Sequence, residues 1–217
     1  MIKLPPFDKN LGKDIKTIDI DGHKPTHASV LLLWYSKPTK DIKKACELGT
    51  GTGFVSFGLE KYYSLEVVGV EVIKELYTNA KKAIELNNSK KVSFFNIDVR
   101  EIKKQFVAEN FDMVVFNPPF HFSSSSNKKI REISRKASNE LLESFVKAAS
   151  YLLRNKGTFV TIISPYILSV YFTILSKNKL NPQQMCIAYG KKGKLVLLRG
   201  KKNGGIHLEI DLPVFLY

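Results

Sequence analysis

The sequence predicts an α/β fold: one doubly wound, mostly parallel seven-stranded sheet that ends in an antiparallel C-terminal hairpin. Three observations predict it. Short β-rich runs alternate with helical patterns from residue 44 to residue 176, which implies a parallel sheet with helices on both faces. A glycine cluster, Gly49-Thr50-Gly51-Thr52-Gly53, follows the first of these runs and opens a helix. Two later β-rich runs flank Lys191-Lys192-Gly193-Lys194, a hairpin signal.

The elements follow in order. Residues 28–35 form an apolar run behind Thr26, a candidate N-cap, and predict a short helix. Strands are expected at 44–48, 66–70, 92–97, 111–116 and 157–163. Between them, helices are expected at 54–63, 73–86, 99–107 and 138–153. Leu76, Ala80, Ala83 and Ile84 give the second of these one apolar side, and Leu141, Leu142, Phe145, Ala148, Ala149 and Leu152 do so for the last. Ser164-Pro165 reads as N-cap and first turn of a helix running to about residue 176. Residues 185–189 and 195–199 make the hairpin, and 206–212 a last edge strand. Residues 1–25 are read as an N-terminal extension and 26–217 as a single domain. Ser123–Ser126, with Asn127, Lys128 and Lys129, reads as a mobile loop.

Composition narrows the class. Of 217 residues, 44% are hydrophobic and 25% charged, as in ordinary globular chains. No apolar run approaches the roughly 18–20 residues of a membrane span, and the first residues lack a secretory apolar stretch; a cytoplasmic protein is expected. Cys46 and Cys186 are isolated and read as buried strand cysteines, and His23, His27, His121 and His207 have no metal-ligand spacing, so no metal is expected. The net charge is +14, and from Ser144 to Leu208 there is no Asp or Glu at all. That stretch includes Lys147, Arg154, Lys177, Lys179, Lys191, Lys192, Lys194, Arg199 and Lys202, a one-sign field suited to a polyanion.

The glycine turn lacks the lysine of a triphosphate-binding loop, which speaks against a nucleoside triphosphate. Acidic residues end successive strands: Glu47 beside the glycines, Glu71 after the second strand and Asp98 after the third. Such tips are where open α/β sheets bind ligands. Glu71 is placed to accept ribose hydroxyls, Asp98 to reach an adenine amino group, and Glu47 to hold a cationic amino acid directly or through water. Together, Glu47-Leu48-Gly49-Thr50-Gly51-Thr52-Gly53, Val-Val-Gly-Val-Glu71 and Asn-Ile-Asp98 resemble the cofactor signature of the Rossmann-like (class I) methyltransferases. The resemblance implies S-adenosylmethionine as cofactor, bound at Gly49, Gly51, Gly53, Glu71 and Asp98, with Glu47 and Thr50 beside them.

The fourth strand leads directly into Asn117-Pro118-Pro119-Phe120. In this position the motif resembles that of methyltransferases acting on amino groups. The chemistry fits: a conjugated amino nitrogen has little free lone pair. Acceptors at the Asn117 side chain and the Pro118 carbonyl would hold its two N–H groups and favour a pyramidal nitrogen in the transition state. Pro119 stiffens the loop, Phe120 offers a face on which a base can stack, and Asn117 also borders the cofactor turn. A longer order of segments includes the 26–36 run, the Ser-rich loop with Arg135 after Asn-Pro-Pro-Phe-His121, and Lys-Leu-Val-Leu-Leu-Arg-Gly-Lys-Lys near the end. It is similar to the bacterial tRNA (valine) adenine-N(6) methyltransferase family, although Thr26-His27 stands where relatives commonly have Thr-Asp. The expected partner is RNA, tRNA first and ribosomal RNA second, touched by Phe120, His121, Lys128, Lys129, Arg135, Lys191, Lys192 and Lys194. Three alternatives remain open: guanine-N2 methylation of ribosomal RNA, glutamine methylation of a protein, and a non-catalytic RNA-binding subunit.

Overall fold

A computed structural model describes residues 4–20, 23–119, 128–191 and 193–217, without the side chains of 128–137. The chain forms α1 (His27–Tyr35), β1 (Lys44–Leu48), α2 (Phe54–Tyr63), β2 (Glu66–Glu71), α3 (Lys74–Leu86) and β3 (Val92–Asn96). A 3-10 turn η1 (Val99–Glu101) leads to α4 (Ile102–Gln105), β4 (Phe111–Phe116), α5 (Lys128–Leu152) and β5 (Leu153–Ile163). The turn η2 (Pro165–Ile167) then leads to α6 (Leu168–Lys177), β6 (Leu180–Tyr189), β7 (Lys194–Lys202), β8 (Glu209–Ile210) and β9 (Val214–Phe215).

The strands lie in the order β3-β2-β1-β4-β5-β7-β6-β8, and β9 also pairs with β6. Pairings from β3 through β5 are parallel, while β7 runs antiparallel to both β5 and β6. The expected fold class holds, but among the described residues the sheet has nine strands rather than seven. Of the expected 206–212 stretch only Glu209–Ile210 is strand, β8, beside Gln184-Met185 near the middle of β6; β9 lies beyond it, at Val214–Phe215, beside Ala188-Tyr189 at the end of β6. Pro213 lies between them and cannot donate to a ladder, which accounts for the break.

Two apolar layers cover the sheet. On one face α1, α2 and α3 bury Leu31, Leu33, Phe57, Leu59 and Ala80. The N-terminal segment packs on this layer through Phe7, Leu11 and Ile15, and Trp34 Nε1 donates to the Pro5 carbonyl at 2.9 Å. On the other face α5 and α6 bury Phe145, Ala149, Leu152, Tyr171 and Leu175. α1 is apolar nearly all round, as befits a helix enclosed on most sides.

Several boundaries differ from expectation, among them the starts of α5, of β5 and of β6, which begins at Leu180 rather than 185. α5 starts at Lys128 rather than near 138, so Lys128 and Lys129 belong to a helix and not to a mobile loop; Ser123–Asn127 lie outside the described residues. The segment 128–137 is rich in Lys, Arg and Glu and has no Gly or Pro, so its helix propensity outweighs its polarity. β5 starts at Leu153, which pairs with Phe111 before a register shift brings Thr158 opposite Met113.

Gly53 begins α2 at φ +85°, and a Cβ there would lie 2.8 Å from Phe94 Cζ and 2.9 Å from Phe57 Cε2. Gly53→Ala therefore meets both left-handed strain and overpacking. Chemical denaturation should show a loss of about 2–4 kcal/mol. A loss under about 0.5 kcal/mol would mean that the turn has other conformations open to it.

Candidate functional site

The site forms where the strand order reverses. From β1 the chain moves outward through β2 and β3, then returns to the other side of β1 with β4. Ligands in open α/β sheets bind outside the carboxyl ends of the strands at such a point. Register makes the ends level: Leu48 pairs with both Val70 and Phe116, and Glu71 pairs with Asn96. Gly49, Glu71 and Asn117, each one residue further on, therefore form one rim.

A cleft of about 200 Å³ opens between the glycine turn and Asn117, with Glu71 behind the turn rather than in the cleft wall. Its walls are Glu47, Gly49, Thr50, Gly51 and Thr52 from the turn, Asn117 from beyond β4, and His23, Lys24, Thr26 and Ser29 from the N-terminal side. Sequence reasoning missed this third wall. Thr26 was read as an N-cap and as part of a Thr26-His27 departure from relatives, not as a wall of the cleft; its N–H donates to Ser29 Oγ at 3.3 Å.

The turn gives the cleft its shape. Gly49, Gly51 and Gly53 all have positive φ, and Gly49 and Thr50 donate their N–H groups to the Val70 carbonyl at 2.8 and 3.0 Å. A Cβ on Gly51 would meet nothing within 4 Å, so the turn faces open space there. Gly51 N–H also donates to Glu71 Oε2 at 2.8 Å, while Ile73 N–H donates to Oε1 at 2.9 Å. Glu71 is thus buried and fixed against the turn, with one lone pair on each oxygen used.

Glu47 is only 4% exposed. Thr50 Oγ1 and Ser56 Oγ each donate to its Oε2 at 2.6 Å. Burial pushes its pKa up to about 7; the two hydroxyls oppose that rise, and the Glu71 charge adds slightly to it. A buried carboxylate at the cleft wall gains most from a cationic ligand. Ser56 was also missed; its signal is a polar residue inside the otherwise apolar start of α2.

Other expected residues stand as follows. Asp98 caps η1, accepting from Arg100 N–H at 2.8 Å, and is ion-paired with the Arg100 guanidinium, which holds its carboxyl below the usual range. Its carboxylate is thus engaged outside the cleft wall. Asn117 and Pro119 are exposed, and Pro118 is buried. Lys191 and Lys194 are exposed at the β6–β7 hairpin. Phe120, His121 and Lys192 lie outside the described residues, as do the side chains of Lys128, Lys129 and Arg135. Arg199, counted in the basic stretch, is a correction: it is buried and donates to the Tyr35 and Lys37 carbonyls at 3.2 and 2.7 Å, so it cannot reach a polyanion. Among the described residues, no group of His, Cys, Asp or Glu is placed to hold a metal, and no helix is long and apolar enough to cross a membrane.

These residues suit S-adenosylmethionine. The turn leaves room beside Gly51, Glu71 is a carboxylate at the strand end, and Glu47 awaits a cation. Protonated Glu47 is neutral and gains little from an ammonium group, whereas the ionised form gains much. Affinity for S-adenosylmethionine should therefore rise as pH increases through about 7, and Glu47→Gln should flatten that rise. Calorimetry between pH 6 and 8 gives the comparison. A wild-type affinity with no pH dependence would remove Glu47 from the amino-group contact.

Comparison with known proteins agrees with this geometry. A family model described as a methyltransferase domain matches residues 39–164. A provisionally named protein N5-glutamine methyltransferase of Methanocaldococcus jannaschii is 32% identical over 168 residues, covering 74% of this chain and 79% of the relative. A tRNA1(Val) (adenine(37)-N6)-methyltransferase of Bacteroides fragilis is 25% identical over 165 residues, covering 75% and 70%. Among solved structures, a predicted O-methyltransferase of Agrobacterium tumefaciens superposes with a TM-score of 0.70 at 16% identity, covering 88% of each chain. With the glycine turn, the strand-end carboxylates and the matched domain in one place, the chain belongs to the methyltransferase-domain family, the S-adenosylmethionine-dependent transferases of this fold.

Proposed function

We propose that this chain transfers a methyl group to an exocyclic amino nitrogen in RNA, with adenine N(6) of a tRNA as the favoured target. The observation that carries the reading is the position of Asn117-Pro118-Pro119. It follows β4 at the strand-order reversal, across the cleft from the glycine turn and Glu47.

Bound S-adenosylmethionine supplies an electrophilic methyl group on a sulfonium centre. Gly49, Gly51 and Thr50 would line its binding cleft, Glu71 its ribose, and Glu47 its ammonium group. Asp98 reaches an adenine only if it gives up part of its pairing with Arg100. The protein's own chemistry lies in orientation. Asn117 and the Pro118 carbonyl accept the two N–H groups of the target, turning its nitrogen lone pair toward the methyl donor. Pro118 and Pro119 limit backbone motion, so the acceptors are aimed before the target arrives. Phe120 stacks on the displaced base. The proton leaves after the nitrogen becomes cationic, so no strong base is required.

The Bacteroides fragilis relative and the net charge of +14 support an RNA target. One observation favours a second reading: the Methanocaldococcus jannaschii relative has the higher identity, and a glutamine amide nitrogen is as delocalised as an aromatic amine. The same pair of acceptors would serve it.

Incubation with labelled S-adenosylmethionine and total RNA, nuclease-treated RNA or total protein separates the two. Labelled N(6)-methyladenosine after nucleoside analysis is the expected result. Label that appears in protein when RNA has been digested would replace the RNA reading with glutamine methylation.

A further inference from the structure

The catalytic end of the sheet extends well past the cleft. β5 leaves the core into η2, where Tyr166 is 90% exposed. Next in the sheet, β7 starts at Lys194, and Ile163 at the end of β5 pairs with Val196. β6 ends at Tyr189, opposite Lys194, and β9 places Phe215 opposite Tyr189. Because β6 is antiparallel to β7, it runs parallel to β5. All these residues therefore lie at the end of the sheet that holds Asn117.

They form an aromatic and cationic strip. Tyr189 and Phe215 stack with ring centroids 5.5 Å apart and planes 25° apart, and Phe215 meets Tyr217 edge-on at 5.7 Å. Lys194 Nζ lies 5.0 Å from the Tyr189 ring centroid. Tyr189 is thus enclosed by Phe215 and Lys194. Phe215 and Tyr217 remain 55% and 70% exposed, while Leu216 between them turns into the core. Such exposure wastes apolar area unless something covers the rings.

We propose that Tyr166, Phe215 and Tyr217, with Lys191 and Lys194, are a platform on which unpaired bases flanking the target nucleotide stack. The inference rests on the RNA reading above and specifies how a single-stranded loop is held. Distance fits the role. Strands lie about 4.8 Å apart, so β6 and β9 stand about 14 and 19 Å from β4. A stacked strand rises about 3.4 Å per nucleotide, which places the β6 and β9 part of the platform roughly four to six nucleotides from the target, with Tyr166, just past the neighbouring strand β5, nearer to it. Charge selects the partner class. Among the described residues no carboxylate pairs with Lys191 or Lys194. Asp211 accepts from Tyr35 Oη at 2.7 Å on the α1 face, and Glu209 pairs with Gln184, five residues before the end of β6. Stacking on aromatic faces beside free ammonium groups is how proteins hold single strands without reading their sequence.

Full-length protein with Tyr166→Ala, Tyr217→Ala or both tests this. Each side chain is largely exposed, so folding should survive, and unchanged S-adenosylmethionine affinity checks that it has. The probe is an RNA hairpin whose loop carries 2-aminopurine several nucleotides from the target adenine. Wild-type protein should quench the probe. Each alanine variant should bind the hairpin about tenfold more weakly with less quenching, and Tyr166→Phe and Tyr217→Phe should restore both. Wild-type affinity and quenching in the double alanine variant would overturn the platform while leaving RNA methylation intact. Self-association that is lost in the alanine variants, with RNA binding unchanged, would instead assign the strip to a second copy of the chain. If the wild-type protein transfers methyl groups only to protein, the RNA reading fails first, and the platform with it.

Discussion

The site depends on one buried carboxylate. Glu47 lies in the central strand, where a charge without partners would cost several kcal/mol. Thr50 and Ser56 make the position tolerable, and both must arrive from the chain that follows. The glycine turn reverses direction within a few residues to bring Thr50 over Glu47, and α2 begins at Gly53 so that Ser56 falls within its first turn. The same reversal points Gly51 N–H at Glu71. Turn, helix start and the second carboxylate are therefore consequences of satisfying the first, and what satisfaction remains is left for a cationic ligand.

A second polar cluster positions the other half of the molecule. Arg199 sits in β7 with its guanidinium tied to the carbonyls that end α1, and burial lowers its pKa to about 10. Tyr35 in turn donates to Asp211, which lies between β8 and β9. Helix α1, the hairpin and the C-terminal strands are thus joined through one buried network, the kind that is costly to leave partly satisfied. By fixing the C-terminal strands, it sets where Tyr189, Phe215 and Tyr217 stand relative to Asn117. The basic stretch consequently divides by role: Arg199 holds the fold, Lys202 is paired with Glu109, and Lys191 and Lys194 remain at the rim.

Much of this was legible in the sequence because local signals and tertiary demands agree. α2 and β4 match their expected limits, since each is a short apolar run bounded by glycines, by charged residues or by proline. Glu47, the glycines and Asn117 were found because a strand-end motif implies its own location. Other features depend on contacts distant in sequence. The wall from His23 to Ser29 is visible only once that segment folds over the turn. Arg199 looks like a surface cation until α1 is seen to end against it, 162 to 164 residues away. The hold of Arg100 on Asp98 was available in principle, since a cap two residues before an arginine is a local pattern. The rim aromatics had no periodic signal, because they come from the end of β6, the short turn η2, the two-residue β9 and the residues past it.

The central claim is that one rim divides its labour: the glycine turn with Glu47 and Glu71 holds the cofactor, and Asn117 orients the amino group that receives the methyl. Asn117→Ala separates the two when kcat and S-adenosylmethionine affinity are measured on the same preparation. The account predicts a fall in kcat of about 100- to 1000-fold, the usual cost of one preorganised polar group, with cofactor affinity changed by less than about tenfold. A variant that turns over near the wild-type rate, or one whose loss of activity is matched by an equal loss of cofactor binding, would contradict it.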